Sequence, residues 1–366
     1  MPKFHSRQAL SSLLIAAAML LQACSVEVDS SAADDSKIAP KVIVLAMFER
    51  GEVRGDEPGE LQLWVERLSL DTEIEFEMGV ERLFMNDDGV MAVLVGGGIS
   101  NATASSMALG LDERFDLTQS YWLVAGIAGA DPEDLSLGSA AWANHVVDGD
   151  LLYEIDGREI PEEWPYGMVP LGGERPTTDP NDLISGWTVD TIAFTLNPEL
   201  VNWAYSITKD IELADAPGIT AYREHYETYP EAQRPPFVTI GDTMSSSTYW
   251  HGKLMNQWAN DWIKLYRGAD ANMMTSNMED SGTMTSMVRL GNAGRIDIDR
   301  VLVLRTASNY TMPPDGKTAS WSHEQPYPDG GMPAFEAAFV VGNTVVQALL
   351  DGWEQYQETI PHAATP

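Results

Sequence analysis

The segment Tyr121–Ala130, with the sequence YWLVAGIAGA, decides the fold class of this chain. Its first half, residues 121–125, is a continuous apolar run typical of a strand buried on both faces of a sheet. Its second half, residues 125–130, carries Gly126 and Gly129, as a ligand-binding loop at the carboxyl end of such a strand would. A tight turn from strand to helix would use the same glycines, so both interpretations stay open for this loop.

Four further apolar runs suggest other buried strands, at residues 41–47, 91–95, 237–240 and 301–304. Helical patterns lie between several of them, at 102–110, 198–211 and 254–266, and the methionine-rich stretch 273–287 suggests a buried helix. Strands that alternate with helices predict a sheet covered on both faces. We therefore expect a single three-layer α/β/α domain with a twisted, mixed and largely parallel sheet.

A second glycine-bearing loop, GGGISN at residues 96–101, follows the run at 91–95. We expect Gly97, Gly98 and Asn101 to form a ligand loop there, for the reason that applies to Gly126 and Gly129. A tight turn is again the alternative.

Composition limits the classes of partner. The chain has 366 residues, of which 44% are hydrophobic, and its 55 acidic against 22 basic residues give a formal charge of −33. Nucleic acid and anionic membrane surfaces bind cationic faces, so we expect neither as a partner of the protein surface. A small neutral or cationic ligand fits this charge, and so does plain solubility.

The N-terminus resembles a bacterial lipoprotein signal. Residues 1–23 combine a basic start with an apolar stretch, and LQAC at 21–24 places Cys24, the one cysteine of the sequence, at the position that is lipidated in such signals. An ordinary signal peptide with a chance cysteine is the alternative. We expect a flexible tether over 24–40, a domain over 41–366, and a lipid-anchored protein of the bacterial cell envelope that faces the periplasm from the outer membrane. Beyond the signal, no run of about 18 to 20 uninterrupted apolar residues predicts a membrane-spanning helix.

The order of five motifs along the chain carries a resemblance to a known family. They are VGGGISNATASSMALG from 95, YWLVAGIAGADPEDLSLGSAAWANHVVDGDL from 121, FVTIGDTMSSS from 237, SNMEDSGT from 276 and VLVLRTASNYT from 301. This order is similar to that of the nucleoside phosphorylase and nucleosidase superfamily. MFER at 47–50 and GDEPGELQLWVER at 55–67 add a closer resemblance, over the whole mature chain, to the purine nucleoside permease family.

The resemblance implies a ribose site at Met278 and Glu279. In the superfamily the corresponding methionine packs on the sugar, and the glutamate accepts hydrogen bonds from two adjacent ribose hydroxyls, for which an ionised carboxylate has enough acceptor oxygens. Taken alone, Glu279 would be read as a helix cap or a solvated residue. The ordered motifs around it favour the ribose site.

The resemblance also implies a base site. Met244, two residues after the aspartate of FVTIGDTM, takes the place of the residue that stacks on the base, and it offers a soft surface. Tyr249 and Trp250 follow and would provide a flat face, with a place in the core as an equal alternative. Asn309 stands where the nucleosidases carry the aspartate that protonates the purine. An amide hydrogen-bonds but is no general acid, although trimeric phosphorylases use an asparagine to recognise the base.

Phosphorolysis is disfavoured. Val124 and Ile127 stand where phosphorylases hold phosphate with an arginine and a serine, and neither side chain can bind an oxyanion. Arg50 and Arg54 follow the first strand, but they lie among acidic residues.

Hydrolysis would need a carboxylate that orients water. Glu49 and Glu52 lie near the place of that glutamate in the nucleosidases, and an acidic loop without a catalytic role is the alternative. We expect no metal site, because the histidines lack partners at ligand spacing, and no cofactor.

Two functions follow from the resemblance. The first is purine nucleoside binding and uptake by an anchored periplasmic lipoprotein that delivers its ligand to a separate pore. The second is a purine nucleosidase, whose hydrolysis of the N-glycosidic bond would salvage the base. Residues 150–235 are rich in proline, glycine and acidic residues, and we expect a partly irregular excursion that acts as a lid or an interface. A homo-oligomer is expected by analogy with the superfamily.

Overall fold

The structure is a computed structural model that describes residues 37–184 and 190–363. The expected signal peptide, Cys24 and most of the expected tether lie outside the described residues. The tether's last residues, 37–40, already belong to the folded body, because Ile38 bridges Phe115 and donates a backbone hydrogen bond to Arg114. From Lys37 onwards the described chain forms one compact unit.

Ten of the strands in the described residues form one sheet. The strands are β1 (Val42–Ala46), β2 (Thr72–Ile74), β3 (Leu83–Met85), β4 (Val90–Leu94), β5 (Tyr121–Ala130), β6 (Ala140–Asp148), β7 (Leu152–Glu154), β8 (Met168–Pro170), β9 (Ala193–Thr195), β10 (Val238–Ser245), β11 (Met273–Asn277) and β12 (Val301–Tyr310). The sheet order is β11-β10-β6-β12-β5-β1-β4-β3-β2, with β9 paired to β6, while β7 and β8 form a separate hairpin.

The nine helices in the described residues are α1 (Gln62–Arg67), α2 (Ile99–Leu111), α3 (Pro198–Thr208), α4 (Pro217–Arg223), α5 (Lys253–Arg267), α6 (Asp280–Asn292), α7 (Ala319–His323), α8 (Met332–Asp351) and α9 (Trp353–Tyr356). Four of them, α3, α5, α6 and α8, have contacts with this sheet. Helix α8 contacts β5 and β12, α3 contacts β6, and α5 contacts β10 and β11. Short 3₁₀ turns lie at Pro180–Asp182, Glu224–Tyr226, Glu231–Gln233, Ile298–Arg300 and Pro328–Gly331.

The central strands explain the apolar runs of the sequence. All five residues of β1 are buried, because β1 lies between two parallel neighbours, β4 and β5, and is covered on both faces. The five predicted runs are all strands, and the prediction of a mixed, largely parallel α/β fold is confirmed.

Part of the sheet closes on itself. Strand β11 pairs in parallel with β10 and antiparallel with β5, where Thr275 lies opposite Ala130 and Ser276 opposite Gly129. Together with the pairs β5–β12, β12–β6 and β6–β10, this contact joins five strands in a ring. The layered sheet of the prediction therefore contains a small barrel-like region.

Two local predictions are wrong. The stretch 125–130 is not a loop, because β5 continues to Ala130 through its pairing with β12 and β11. The methionine-rich stretch 273–287 is not one helix: its first half is strand β11, and helix α6 begins only at Asp280.

Residues 150–235 combine regular elements with irregular stretches. The described part includes the β7–β8 hairpin, strand β9 on the main sheet, and helices α3 and α4. These elements belong to the folded body, and a role of the region as a lid or an interface stays a prediction.

One helical segment in the described residues has the length and composition of a membrane span. Pro328–Asp351 contains an 18-residue window with a mean hydropathy of 1.3, of which 61% is buried inside the fold. Its contacts with β5 and β12 are those of a core helix.

Candidate functional site

A cavity of about 310 Å³ opens where several central strands end. Met47 and Phe48 follow β1, Met278 and Glu279 follow β11, and Asn309 lies near the end of β12. The carboxyl ends of the parallel strands thus converge on this space, as in ligand-binding α/β sheets generally. Its remaining lining residues are Arg50, Glu60, Ile127, Ala128, Gly129, Tyr249, Ser276, Asn277, Ser308 and Tyr327.

Glu279 directs its side chain away from the helix that it precedes. It occupies the N-cap position of α6 but makes no capping hydrogen bond with its side chain. Its Oε1 accepts from the Gly98 N–H at 3.2 Å, and its Oε2 accepts from the Met278 N–H at 3.1 Å and from Arg305 at 3.4 Å. The carboxyl group is buried and still has acceptor capacity on Oε1. Burial raises its pKa, and the charge of Arg305 opposes that shift.

Arg305 is the buried cation behind the cavity. Its guanidinium forms a two-pronged ion pair with Asp280, one arm of which is Nε–Oδ2 at 3.0 Å, and Nη1 donates to the Ile127 carbonyl at 3.0 Å. Both partners of the pair are essentially inaccessible to solvent. A planar guanidinium held in this way also fixes the direction of its contact with Glu279. The motif alignment of the sequence did not single out Arg305 or Asp280.

Glu60 also lines the cavity, although the sequence did not single it out. Its Oε2 accepts from the Met47 N–H and its Oε1 from the Ile127 N–H, each at 2.7 Å, so the carboxyl group links the end of β1 to the second half of β5. Burial raises its pKa to about 7; the Arg305 charge lowers it and the Glu279 charge raises it. A carboxyl group of this kind changes its charge close to neutral pH. The only sign of it in the sequence is a glutamate two residues before helix α1.

Gly126 makes room for this cluster. A Cβ atom on Gly126 would lie 2.6 Å from Glu60 Oε1 and 2.7 Å from Arg305 Nη1. The glycine is therefore required for the close approach of two charged side chains to strand β5. This role differs from the predicted one, in which Gly126 belongs to a loop that contacts the ligand.

Glu49 and Glu52 do not line the cavity. The Glu49 carboxylate accepts backbone N–H groups of Gly59, Leu61 and Gln62 and so organises the start of α1. Glu52 is exposed on the loop after β1. The position predicted for these two residues, a carboxylate near the end of the first strand that faces the cavity, is taken by Glu60.

Asn309 and Tyr249 form the other end of the cavity. Asn309 Nδ2 donates to Tyr249 Oη at 3.0 Å and to the Tyr310 carbonyl at 3.2 Å, and Ser308 Oγ lies 3.0 Å from Asn309 Oδ1. Tyr249 is 44% exposed as a residue, but desolvation of its hydroxyl raises its pKa, and the group is protonated at neutral pH. A second cavity of about 210 Å³ shares Tyr249, Asn309 and Tyr327 with the first, so this pair lies at the boundary between them.

Met244 and Trp250 do not face the cavity. Met244 is fully buried and points to the face of β10 where it packs near Gly149 and Trp258. Trp250 is buried against Trp258, with ring centroids 5.8 Å apart. The aromatic side chains that line the cavity are Phe48, Tyr249 and Tyr327, so of the predicted base-stacking residues only Tyr249 is at the cavity.

The glycine loop at 96–101 contributes one backbone donor. Gly98 has φ of 87° and presents its N–H to Glu279 where helix α2 begins. Gly97 does not line the cavity, and Asn101 closes the turn by donating to the Gly97 carbonyl at 2.7 Å. Gly129 lines the cavity from strand β5.

The charges around the cavity disfavour a phosphate dianion. Three carboxyl groups, Glu60, Glu279 and Asp280, surround the single guanidinium of Arg305, and Val124 is in the core. Arg50 also lines the cavity, but its guanidinium binds Glu57 at 2.8 Å and the Gly330 carbonyl at 2.6 Å. Within the described residues, no group of three or more histidine, cysteine or acidic side chains is placed to hold a metal ion.

A family comparison decides the classification. The model described as "Purine nucleoside permease (NUP)" matches residues 39–361, nearly the whole described chain. The chain belongs to the purine nucleoside permease family. The resemblance seen in the sequence is thereby confirmed.

Curated relatives of this permease family member come from fungi. A probable purine nucleoside permease from Schizosaccharomyces pombe is 30% identical over 289 residues, which is 75% of this chain and 79% of the relative. A purine nucleoside permease from Candida albicans is 28% identical over 275 residues, 74% of this chain and 66% of the relative.

Solved structures with the same fold include two enzymes from Helicobacter pylori. A 5′-methylthioadenosine/S-adenosylhomocysteine nucleosidase shares 14% identity at a TM-score of 0.50, with 84% of this chain and 99% of the other covered. A futalosine hydrolase shares 14% identity at a TM-score of 0.51, with 85% and 98% covered. At this identity the likeness establishes the fold, which this permease family member shares with nucleosidases.

Proposed function

We propose that the cavity binds a purine nucleoside, with the ribose at Met278 and Glu279 and the base at Tyr249 and Asn309. The observation that carries this proposal is the carboxylate of Glu279: it is buried, faces the cavity and caps no helix. A buried acceptor without a full set of partners is costly unless a ligand donates to it, and two neighbouring hydroxyls are suitable donors. Aromatic and apolar lining residues complete a site of the size and composition that small ligands use.

Binding of this kind supports a role in nucleoside uptake. The related fungal proteins are named as purine nucleoside permeases. For this chain we propose that the mature domain, residues 41–366, captures the nucleoside at the periplasmic side of the envelope and delivers it to a separate pore. The anchor would be the lipid on Cys24, linked to the folded body, which begins at Lys37, through the residues between them.

The anchor has its own test. Cells that express the full chain are grown with labelled palmitate, and the protein is recovered from the membrane fraction. Label on the wild type and its loss in Cys24→Ala would support the anchor. An unlabelled wild type, recovered in the soluble periplasm, would favour an ordinary signal peptide.

A second function, hydrolysis of the N-glycosidic bond, is favoured by Glu60. Its pKa of about 7 lets the carboxylate accept a proton from water at neutral pH, while the water oxygen bonds to C1′ of the sugar. The bond between C1′ and the base nitrogen breaks, its electron pair leaves with the base, and the base takes up a proton from solvent. Phosphate is disfavoured as the attacking group because the carboxyl groups around Arg305 repel a dianion.

One experiment separates the two functions. The mature domain is titrated with adenosine and inosine by calorimetry, and free base is then measured with and without phosphate. Binding without base release supports capture and delivery, whereas base release independent of phosphate supports hydrolysis. Absence of binding to either nucleoside would overturn the proposed site.

A further inference from the structure

The orientation of the Asn309 amide is fixed by its surroundings. One atom of the amide lies 3.2 Å from the Tyr310 carbonyl oxygen, which cannot donate a hydrogen bond. That atom must therefore be the nitrogen, Nδ2, and the oxygen must be the atom beside Ser308. The assignment rests on the chemistry of a backbone carbonyl and not on the fit of the side chain alone.

With this orientation, Asn309 has no hydrogen left for a ligand. Its Nδ2 has two hydrogens, and these are directed to Tyr249 Oη at 3.0 Å and to the Tyr310 carbonyl. Its Oδ1 has two lone pairs and one neighbouring hydroxyl, that of Ser308, so it can accept one further hydrogen bond. Toward the cavity, the amide is an acceptor.

Tyr249, by contrast, has a hydroxyl hydrogen to donate toward the cavity. Because its oxygen accepts from Asn309, its own hydroxyl hydrogen can point elsewhere, and the residue lines the cavity. The Tyr327 hydroxyl lies beside it on the same wall and is a competing acceptor for that hydrogen, so an acceptor on the base would replace Tyr327 as its partner. The hydroxyl of Tyr249 is therefore a donor that its neighbour holds in place.

We infer that Tyr249, and not Asn309, donates the hydrogen bond that recognises the purine, while Asn309 Oδ1 accepts from an adjacent N–H group of the base. This inference rests on the proposed function and specifies the ligand class: a purine with an acceptor beside an N–H on one edge. A 6-aminopurine meets this requirement with its amino group next to N7 or N1, and a 6-oxopurine meets it with N1–H next to O6. Tyr249 is thus a specificity-determining residue whose hydroxyl, rather than its ring face, does the recognition.

The inference is tested by changing one atom on each side of the contact. Wild type, Tyr249→Phe and the control Tyr153→Phe, which alters an exposed tyrosine of the β7–β8 hairpin, are titrated with adenosine, 7-deazaadenosine and 1-deazaadenosine. Wild type and the control should bind one of the two deaza analogues about tenfold more weakly than adenosine. Tyr249→Phe should bind adenosine about tenfold more weakly, and it should bind that analogue and adenosine equally.

The outcomes distinguish this inference from the function on which it rests. If wild type binds no purine nucleoside, the proposed function fails. If adenosine binds wild type and Tyr249→Phe equally, or if the deaza penalty is the same in both proteins, the nucleoside site stands and the role of Tyr249 is overturned. Purine riboside, which lacks the 6-amino group, tests whether Asn309 Oδ1 accepts a hydrogen bond from the base. It should bind wild type more weakly than adenosine does, and this difference should persist in Tyr249→Phe, since Asn309 is unchanged there.

Discussion

Glu60 and Glu279 line one cavity and are both attracted to the guanidinium of Arg305, and the charge of Glu279 helps to raise the pKa of Glu60. The two carboxyl groups differ in their partners. Glu279 has direct contact with Arg305, whereas Glu60 accepts only backbone N–H groups. This difference suits Glu279 to accept hydrogen bonds from a ligand and Glu60 to exchange a proton near neutral pH.

Glu279→Gln should weaken nucleoside binding by about 1–3 kcal/mol, because a charged acceptor in a buried site is replaced by a neutral one. Calorimetric titration with adenosine measures the change. Glu354→Gln, on the short helix α9, is the matched control and should bind as wild type does. An unchanged affinity in Glu279→Gln would remove the ribose site from this position.

If the protein hydrolyses nucleosides, the rate should depend on the ionised form of Glu60. Since its pKa is about 7, kcat/KM should rise with pH up to about 7 and level off above it. Glu60→Gln should lower the rate at least about 100-fold and remove this step in the profile. Release of free base from adenosine between pH 5 and 9 gives the measurement, and a flat profile in an active wild type would argue against Glu60 as the base.

Glu60 should also make the folded state less stable as the pH rises. Its pKa is about 7 when folded against an ordinary value of 4.5, so the folded protein binds more protons than the unfolded chain between these values. The free energy of unfolding should therefore fall by about 3 kcal/mol as pH increases from 4.5 to 7, and stay lower above that range.

Other carboxyl groups whose pKa is raised by desolvation, such as Asp131, Asp134 and Asp148, act in the same direction. The contribution of Glu60 is consequently read from the difference between wild type and Glu60→Gln in urea denaturation at pH 5 and pH 8. Wild type should lose more stability between the two values than the variant does. Equal losses would show that Glu60 titrates normally in the folded protein.

Gly126→Ala should disturb the cavity, because its Cβ would lie within 2.7 Å of both Glu60 Oε1 and Arg305 Nη1. Overpacking of this kind costs about 1–3 kcal/mol of stability. Gly157→Ala, where a Cβ would meet nothing within 4 Å, serves as the control. Thermal unfolding and adenosine titration should both be impaired in Gly126→Ala alone; wild-type behaviour would mean that the charged pair can move aside.

The sequence predicts the fold well because its central strands are covered on both faces and so leave continuous apolar runs. Strand β11 was not predicted because its sequence, MMTSN, is half polar and so is not a continuous apolar run. Its hydroxyl and amide groups make contacts with β10, for example between Thr275 and Thr243. The methionines on either side of the turn at Met278 then looked like one helix.

The site is predicted less completely, because it depends on contacts between distant parts of the chain. Met278, Glu279, Tyr249 and Asn309 do line one cavity, as the ordered motifs suggest. Met244 points away since a strand directs successive side chains to opposite faces, and only the pairing with β6 and β11 shows which face is which. Glu60 follows a long loop after β1. No fixed spacing from the strand therefore identifies it in the sequence.

Because of the ring of five strands, the backbone at the two ends of the cavity should open at different rates. Strand β11, from which Met278 and Glu279 depart, is hydrogen-bonded on both sides, so its amides should exchange with deuterium only when the ring opens as a unit. Tyr249 lies in the segment between β10 and α5, outside regular secondary structure, where exchange needs only local opening. The sugar would thus meet a preformed surface and the base an adjustable one, and nucleoside binding should slow deuterium uptake mainly around residues 246–252.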